Sequence, residues 1–392
     1  MTPEVPPIFN ASPNVMHLIP NAEYPETVAR ASATRRRITI VVTAALTVVA
    51  VDLGVHRIDA DLAAYYINRY ERKLAALAAL PQKPAIVLMG SSRAKYGLVP
   101  EEFQRVARCR AFNLGIPAAK TIEWRLLAER AFADYNPRLV VLGVNASDVR
   151  ADYLPVPAAV DLFDWGDFLD YGRTDGWSSI VAEKFLVRRL GGAWAFFGRR
   201  YGLKLFMQER VAALFPKHAQ VARERREMAA APCPEDGFEH PWLFGRNLRN
   251  LGLALEDQGD RVWAAEVPPF SPDAGALRHF ESLLTWFGDH DIRLIVAYLP
   301  NSPRTERRWR GAEPQMAAAI EDLCRRYDVP FVSARETAGE RTNYDFLEEL
   351  HAGLPLARRI SERVARRIID ARLLDESPSI VARLPEDEIE AP

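Results

Sequence analysis

"IVLMGSSRAKYGLVP", residues 86–100, begins as an unbroken apolar run and stops at Gly90, Ser91 and Ser92, after which the pattern turns helical. An uninterrupted apolar run that short, bounded by a turn signal, reads as a strand buried on both faces. The same rhythm repeats on either side. Downstream, the spacing predicts a helix near 100–109, a strand at 111–114, a helix near 118–135 and a strand at 138–144. It resumes with a helix at 273–288, a strand in "IRLIVAYLP" (292–300), a helix at 313–327, a strand in "VPFVSA" (329–334) and a last helix from 353 to 372. Strands alternating with helices predict an α/β domain, an open parallel sheet with helices on both faces, over residues 82–150 and 273–375.

Between these blocks, residues 151–272 break the rhythm. They are rich in Trp, Phe, Arg and Gly and contain helical stretches such as "SSIVAEKFLVRRL" and "ERVAALFPKHAQVARERREM". We read them as a mostly helical insertion after the third strand, whose basic and aromatic run 187–206 suits either a solvated helical lid or a membrane-facing surface.

Upstream lies "ITIVVTAALTVVAVDLGV" (38–55), with Asp52 its only charge, directly after Arg35, Arg36 and Arg37. This reads as one membrane span within an anchor at 35–57. Arg30 and the arginine triplet precede it, so the charge rule puts residues 1–34 in the cytoplasm and the main domain outside. No small-x-small cleavage site follows the apolar run, which favours an uncleaved anchor over a signal peptide. Residues 58–81 have helical spacing and are expected to form a stalk or packing helix. Residues 1–34 and 376–392 are polar, proline-containing and expected to be disordered.

The 392 residues carry a formal net charge of -1, which gives no overall attraction to nucleic acid. The three cysteines, Cys109, Cys233 and Cys324, are too far apart for a zinc or disulfide pattern. "GDHD" (288–291) precedes a strand and reads as a turn rather than a metal site. No metal and no cofactor is expected.

The polar residues that remain fall at strand ends. The first strand ends in Ser91–Ser92, the second in "FNLGIP" with Gly115, the third in "LGVNASD" with Asn145, and the loop after the fifth holds "YDFLEELHAG" with His351. In an open α/β sheet the ligand crevice lies at the carboxyl ends of the strands. A serine, a glycine, an asparagine and a histidine there supply a nucleophile, two oxyanion donors and a base, the set needed for acyl transfer.

This quartet resembles the SGNH (GDSL-like) hydrolases and acyltransferases over residues 82–150 and 276–372. The resemblance implies a flavodoxin-like three-layer parallel sheet, with Ser92 as nucleophile, Gly115 and Asn145 as oxyanion donors and His351 as base. Three positions depart from the family pattern: Ser91 replaces the Asp before the nucleophile, Ala146 the Asp after Asn145, and Glu348 the Asp three before the histidine. Glu348 would orient His351, with Asp345 the other carboxylate in reach and a Ser–His dyad the remaining option. The "GSS" variant resembles membrane-anchored relatives working on cell-envelope polymers. It implies a single-pass protein of a bacterial inner membrane with its catalytic domain in the periplasm, an acyl donor delivered through a membrane-bound O-acyltransferase, and a glycan or lipid acceptor. A plain lipid or ester hydrolase, or a non-catalytic glycan-binding assembly protein on the same fold, are the alternative readings.

Overall fold

The computed structural model describes residues 26–58, 61–62, 69–149, 160, 162–174, 176, 179–191, 195–212, 214, 216–239, 271–309, 311–347 and 350–374. The chain divides into two compact units, Met1–Arg57 and Ile58–Pro392.

The described residues of the first unit form one helix, α1 (Glu26–Arg57). Its segment Thr34–Arg57 has 24 residues, a mean hydropathy of 2.3 and only 6% burial, so it is long and apolar enough to cross a membrane. At 1.5 Å per residue it reaches about 36 Å. The hydroxyls of Thr39 and Thr47 donate to the carbonyls of Arg35 and Thr43 at 3.0 and 2.8 Å, which satisfies them inside an apolar helix. The helix begins earlier than the expected tail boundary at residue 34: "ETVARASAT" (26–34) holds good helix formers and neither Gly nor Pro, so nothing stops the turn short of Pro25.

The second unit opens with α2 (Arg69–Ala79), which buries Tyr70, Lys73 and Leu77 on one face. That i, i+3, i+7 spacing makes it a packing helix of the domain. Next come β1 (Ile86–Gly90), α3 (Ser92–Gly97), α4 (Pro100–Ala107), β2 (Ala111–Asn113), α5 (Thr121–Ala131) and β3 (Leu139–Val144). The described residues of 151–272 follow as α6 (Trp165–Thr174), α7 (Ser179–Gly191), α8 (Ala195–Arg210) and α9 (Pro216–Ala230). The chain then continues through α10 (Ala274–Asp289), β4 (Leu294–Tyr298), α11 (Pro303–Arg308), α12 (Glu313–Arg326), β5 (Phe331–Ser333), α13 (Ala334–Thr337) and α14 (Leu354–Asp370).

The five strands form one all-parallel sheet in the order β2-β1-β3-β4-β5. Every residue of β1, β3 and β4 is buried, as strands covered on both faces must be. Alternate residues divide between two cores. Val87, Met89, Val140, Leu142 and Val296 pack under α5, α10 and α12 with Trp124, Phe280, Phe287 and Met316. Ile86, Leu88, Leu139, Val141 and Ile295 pack under α4 and α14 with Phe103, Leu356, Ile360 and Val364.

The insertion leaves and rejoins the sheet at one point, where Asp273 N–H donates to Val149 O at 2.7 Å. Its first half is plugged into the core by Phe163, Phe168 and Phe185, the last two stacked at 4.1 Å. After α9 the chain returns to the sheet edge: Asn113 N–H donates to Asp236 O at 2.7 Å, and the buried Lys73 ammonium donates to the carbonyls of Asn113, at 2.6 Å, and Gly237. Desolvation, with the nearby Lys95 charge, lowers the Lys73 pKa to about 8. None of the three cysteines is in a disulfide, and burial pushes the Cys109 thiol up to about 11. The expected tail at 376–392 lies outside the described residues.

Candidate active site

The order 2-1-3-4-5 reverses direction between β1 and β3, so the crevice of this sheet opens at their carboxyl ends. Gly90 and Gly143 are paired there in register. Gly90 has φ +136°, and a Cβ on it would stand 2.3 Å from Gly143 O and 2.7 Å from Ala94 Cβ. Only glycine lets the strand turn so sharply and lets α3 sit so close to the sheet. The turn presents Ser91 as N-cap and Ser92 as the first residue of α3.

The two hydroxyls have different partners. Ser91 is buried, and its hydroxyl is among the groups that hold down the pKa of the buried Asp148 against the larger effect of burial. Ser92 is half-buried and lies 2.8 Å from Nε2 of His351, across 259 residues of sequence. The His351 ring meets the Tyr96 ring edge-on, with centroids 5.1 Å apart. Its backbone is fixed by a small hairpin in which Leu347 N–H donates to His351 O at 2.8 Å, Phe346 pairs with Ala352, and Gly353 N–H donates to Asp345 O at 2.7 Å.

Asn145 is fully buried at the end of β3. Its Nδ2 donates to Leu299 O at 2.8 Å, which ties β3 to β4, and its Oδ1 accepts from Ser147 N–H at 3.2 Å. An amide nitrogen carries two protons, and this bond uses one of them. Gly115 has a different environment. Its N–H donates to Asn113 Oδ1 at 2.9 Å, and a Cβ there would stand 2.5 Å from the Lys95 amide nitrogen. Gly115 therefore lets the loop after β2 pass against α3, and its amide is engaged within that loop.

Of the carboxylates considered for orienting His351, Glu348 lies outside the described residues. Asp345 accepts from the Thr342 amide and hydroxyl at 2.8 and 3.0 Å and from Arg359 at 3.3 Å. These contacts outweigh partial burial and hold its pKa below the usual carboxylate value.

Four residues around the site were not singled out by sequence. Asp148 is buried and accepts from Asn145 N–H at 2.8 Å; burial raises its pKa, opposed by the charges of Arg93 and Lys120. Arg93, next to Ser92, is buried and donates to Asn301 Oδ1. Asn301 in turn donates to Glu313, 3.4 Å away, which also accepts from the Tyr298 hydroxyl. Asn113 donates to the carbonyls of Ala94 and Leu98 at 3.1 and 2.7 Å and so clamps α3 from below. Asn113 breaks an apolar strand and Asn301–Ser302–Pro303 is a helix-start pattern, so both left a trace in the sequence. Arg93 and Asp148 left none, because their burial comes from tertiary packing.

The arrangement pairs a hydroxyl with an imidazole at the mouth of a parallel sheet and backs them with a buried polar network. Compared with known proteins, the chain matches no family model and no curated relative.

Proposed function

We propose that the second unit is a serine acyl-transfer enzyme of the SGNH type, carried by the 2.8 Å contact between Ser92 Oγ and His351 Nε2 at the sheet's switch point. His351 takes the Ser92 proton as Oγ attacks an acyl carbonyl. The oxyanion that forms is met by the Ser92 N–H and by Asn145 Nδ2; Gly115 would join only by releasing Asn113. Each such donor contributes about 3–4 kcal/mol to the transition state. Collapse of the tetrahedral intermediate expels the leaving oxygen, which takes the proton from His351, and leaves an acyl-serine. A water or a sugar hydroxyl, deprotonated by His351, then attacks the acyl-serine and restores Ser92. Orientation of the imidazole is assigned to Glu348 on its place three residues before His351, with Asp345 or an unassisted Ser92–His351 dyad as the alternatives.

The apolar helix Thr34–Arg57, preceded by Arg30 and the arginine triplet, supports anchoring of this domain on the outer face of an inner membrane, where its acceptor is an envelope or exported polysaccharide. The acyl group arrives through a membrane-bound O-acyltransferase.

The test is covalent trapping of the full chain in detergent with a fluorophosphonate probe, with the adduct located by mass spectrometry. One adduct on Ser92 is expected, lost in Ser92→Ala and in His351→Ala. An adduct on Ser91, or ester turnover without any adduct, would overturn the assignment. With a glycan acceptor present, acylated glycan identifies transfer and free acid identifies hydrolysis.

A further inference from the structure

A cleft of about 510 Å³ lies between α11 and residues 341–344. Among the described residues its walls carry three guanidinium groups, Arg304, Arg307 and Arg341, and no carboxylate, together with Asn343 and Tyr344. The walls are joined: Arg304 N–H donates to Asn343 Oδ1 at 3.1 Å, and Arg341 donates to Glu306 at 2.8 Å and to Arg335 O at 2.6 Å. Glu306, the nearest acid on α11, is shared between Arg335 and Arg341. The nearest acid on the other wall, Asp345, is held by Thr342 and Arg359. Arg307 is exposed and makes no ion pair among the described residues, while the Tyr344 ring is 74% exposed.

Both walls are connected through the chain to the residues that flank Ser92 and His351. Asn301, just before α11, receives Arg93, the neighbour of Ser92. The other wall continues from Tyr344 into the hairpin that carries His351. A guanidinium fork matches a carboxylate, sulfate or phosphate, and a flat exposed ring matches the apolar face of a pyranose. The volume is that of an ordinary small-ligand site.

We propose that this cleft binds an acidic sugar unit of the glycan acceptor, with Arg304 and Arg307 taking its anionic group and Tyr344 stacking on its ring; the role as acceptor subsite rests on the acyl-transfer reading above. The occupied cleft would place the adjoining sugar of the same chain at Ser92. The acceptor class is then an anionic polysaccharide.

The test is calorimetric titration of the full chain in detergent, carrying Ser92→Ala, with trigalacturonate, its methyl ester and maltotriose as probes. Trigalacturonate alone should bind, and its affinity should fall at least tenfold between 50 and 300 mM salt. The charge reversal Arg307→Glu, at an exposed position, should abolish binding, and Tyr344→Ala should weaken it at least fivefold, with melting curves as the folding control. Equal binding of maltotriose, no binding of trigalacturonate, or insensitivity to Arg307→Glu would overturn the proposal. Fluorophosphonate labelling of Ser92 without trigalacturonate binding would remove the subsite and leave the enzyme. Trigalacturonate binding without labelling would leave an anionic-glycan site on a non-catalytic fold.

Discussion

The sheet and the insertion treat apolar side chains in opposite ways. β1, β3 and β4 bury every residue, whereas α6, α7 and α8 leave Trp165, Leu169, Ile180, Leu186, Leu190, Phe196 and Met207 exposed. The first region is held by packing on two sides, and its tolerance for added atoms is close to nil. The second is held by a few aromatic plugs and a return strap, and much of its surface has slack. Position in this chain therefore matters more than residue type.

The sharpest way to break that contrast is the same substitution in both regions. Gly90→Ala puts a methyl 2.3 Å from Gly143 O at φ +136°, a combination that alanine does not adopt. We expect a loss above about 3 kcal/mol, seen in urea melts as a collapse of the midpoint, with fluorophosphonate labelling lost as well. Gly176, in the insertion, also has positive φ (+84°) but nothing lies within 4 Å of its added Cβ. Gly176→Ala should cost about 1 kcal/mol of local strain and leave labelling intact. Equal losses at the two sites would mean that the sheet is not the more rigid region.

A second pair tests burial rather than backbone. Leu142, in the middle of β3, is fully buried, and Leu142→Ala should destabilise by about 3 kcal/mol through lost contacts and the cavity left behind. Leu190, at 52% exposure on α7, should change stability by less than about 0.5 kcal/mol when replaced by alanine. A loss above about 2 kcal/mol at Leu190 would show that this surface is covered in the folded protein.

How much of this was legible follows from the same contrast. The long strands β1, β3 and β4 were readable because burial on two faces forces a continuous apolar run, and the places of Ser92 and Asn145 were readable because they directly follow β1 and β3. Asp148 and Arg93 were not. The Arg93 partner Asn301 lies 208 residues away, the burial of Asp148 comes from tertiary packing, and in isolation each looks like an ordinary surface charge. The two serines were assigned different roles from the resemblance, and the structure gives them different surroundings, Ser91 buried near Asp148 and Ser92 half-buried 2.8 Å from His351 Nε2. Gly115 was read as an oxyanion donor from its place after a strand, and the neighbouring Asn113 side chain, which engages its amide, could not be inferred from that place.

The smallest effect concerns the contact that joins the two regions. Glu239, on the strap that returns from α9, lies 2.9 Å from Arg72 on α2 and 2.8 Å from Lys95 on α3, one turn beyond Ser92. Burial works to raise its pKa, but Lys95, Lys73 and Arg72 together hold it below the usual glutamate value. A carboxyl whose folded pKa is depressed stabilises fully above its unfolded pKa, about 4.3, and loses that contribution as pH falls through the folded value. Glu239→Gln should therefore lower stability by about 1 kcal/mol at pH 7, and this difference from the native chain should shrink below about pH 4. Turnover should fall less than tenfold, because Lys95 would lose its anchor while Asn113 still clamps α3. Asp170→Asn, which breaks the exposed ion pair with Arg173 on α6, is the control and should show no difference at any pH. If Glu239→Gln is as silent as the control, α3 is held by the sheet alone and the insertion only decorates it.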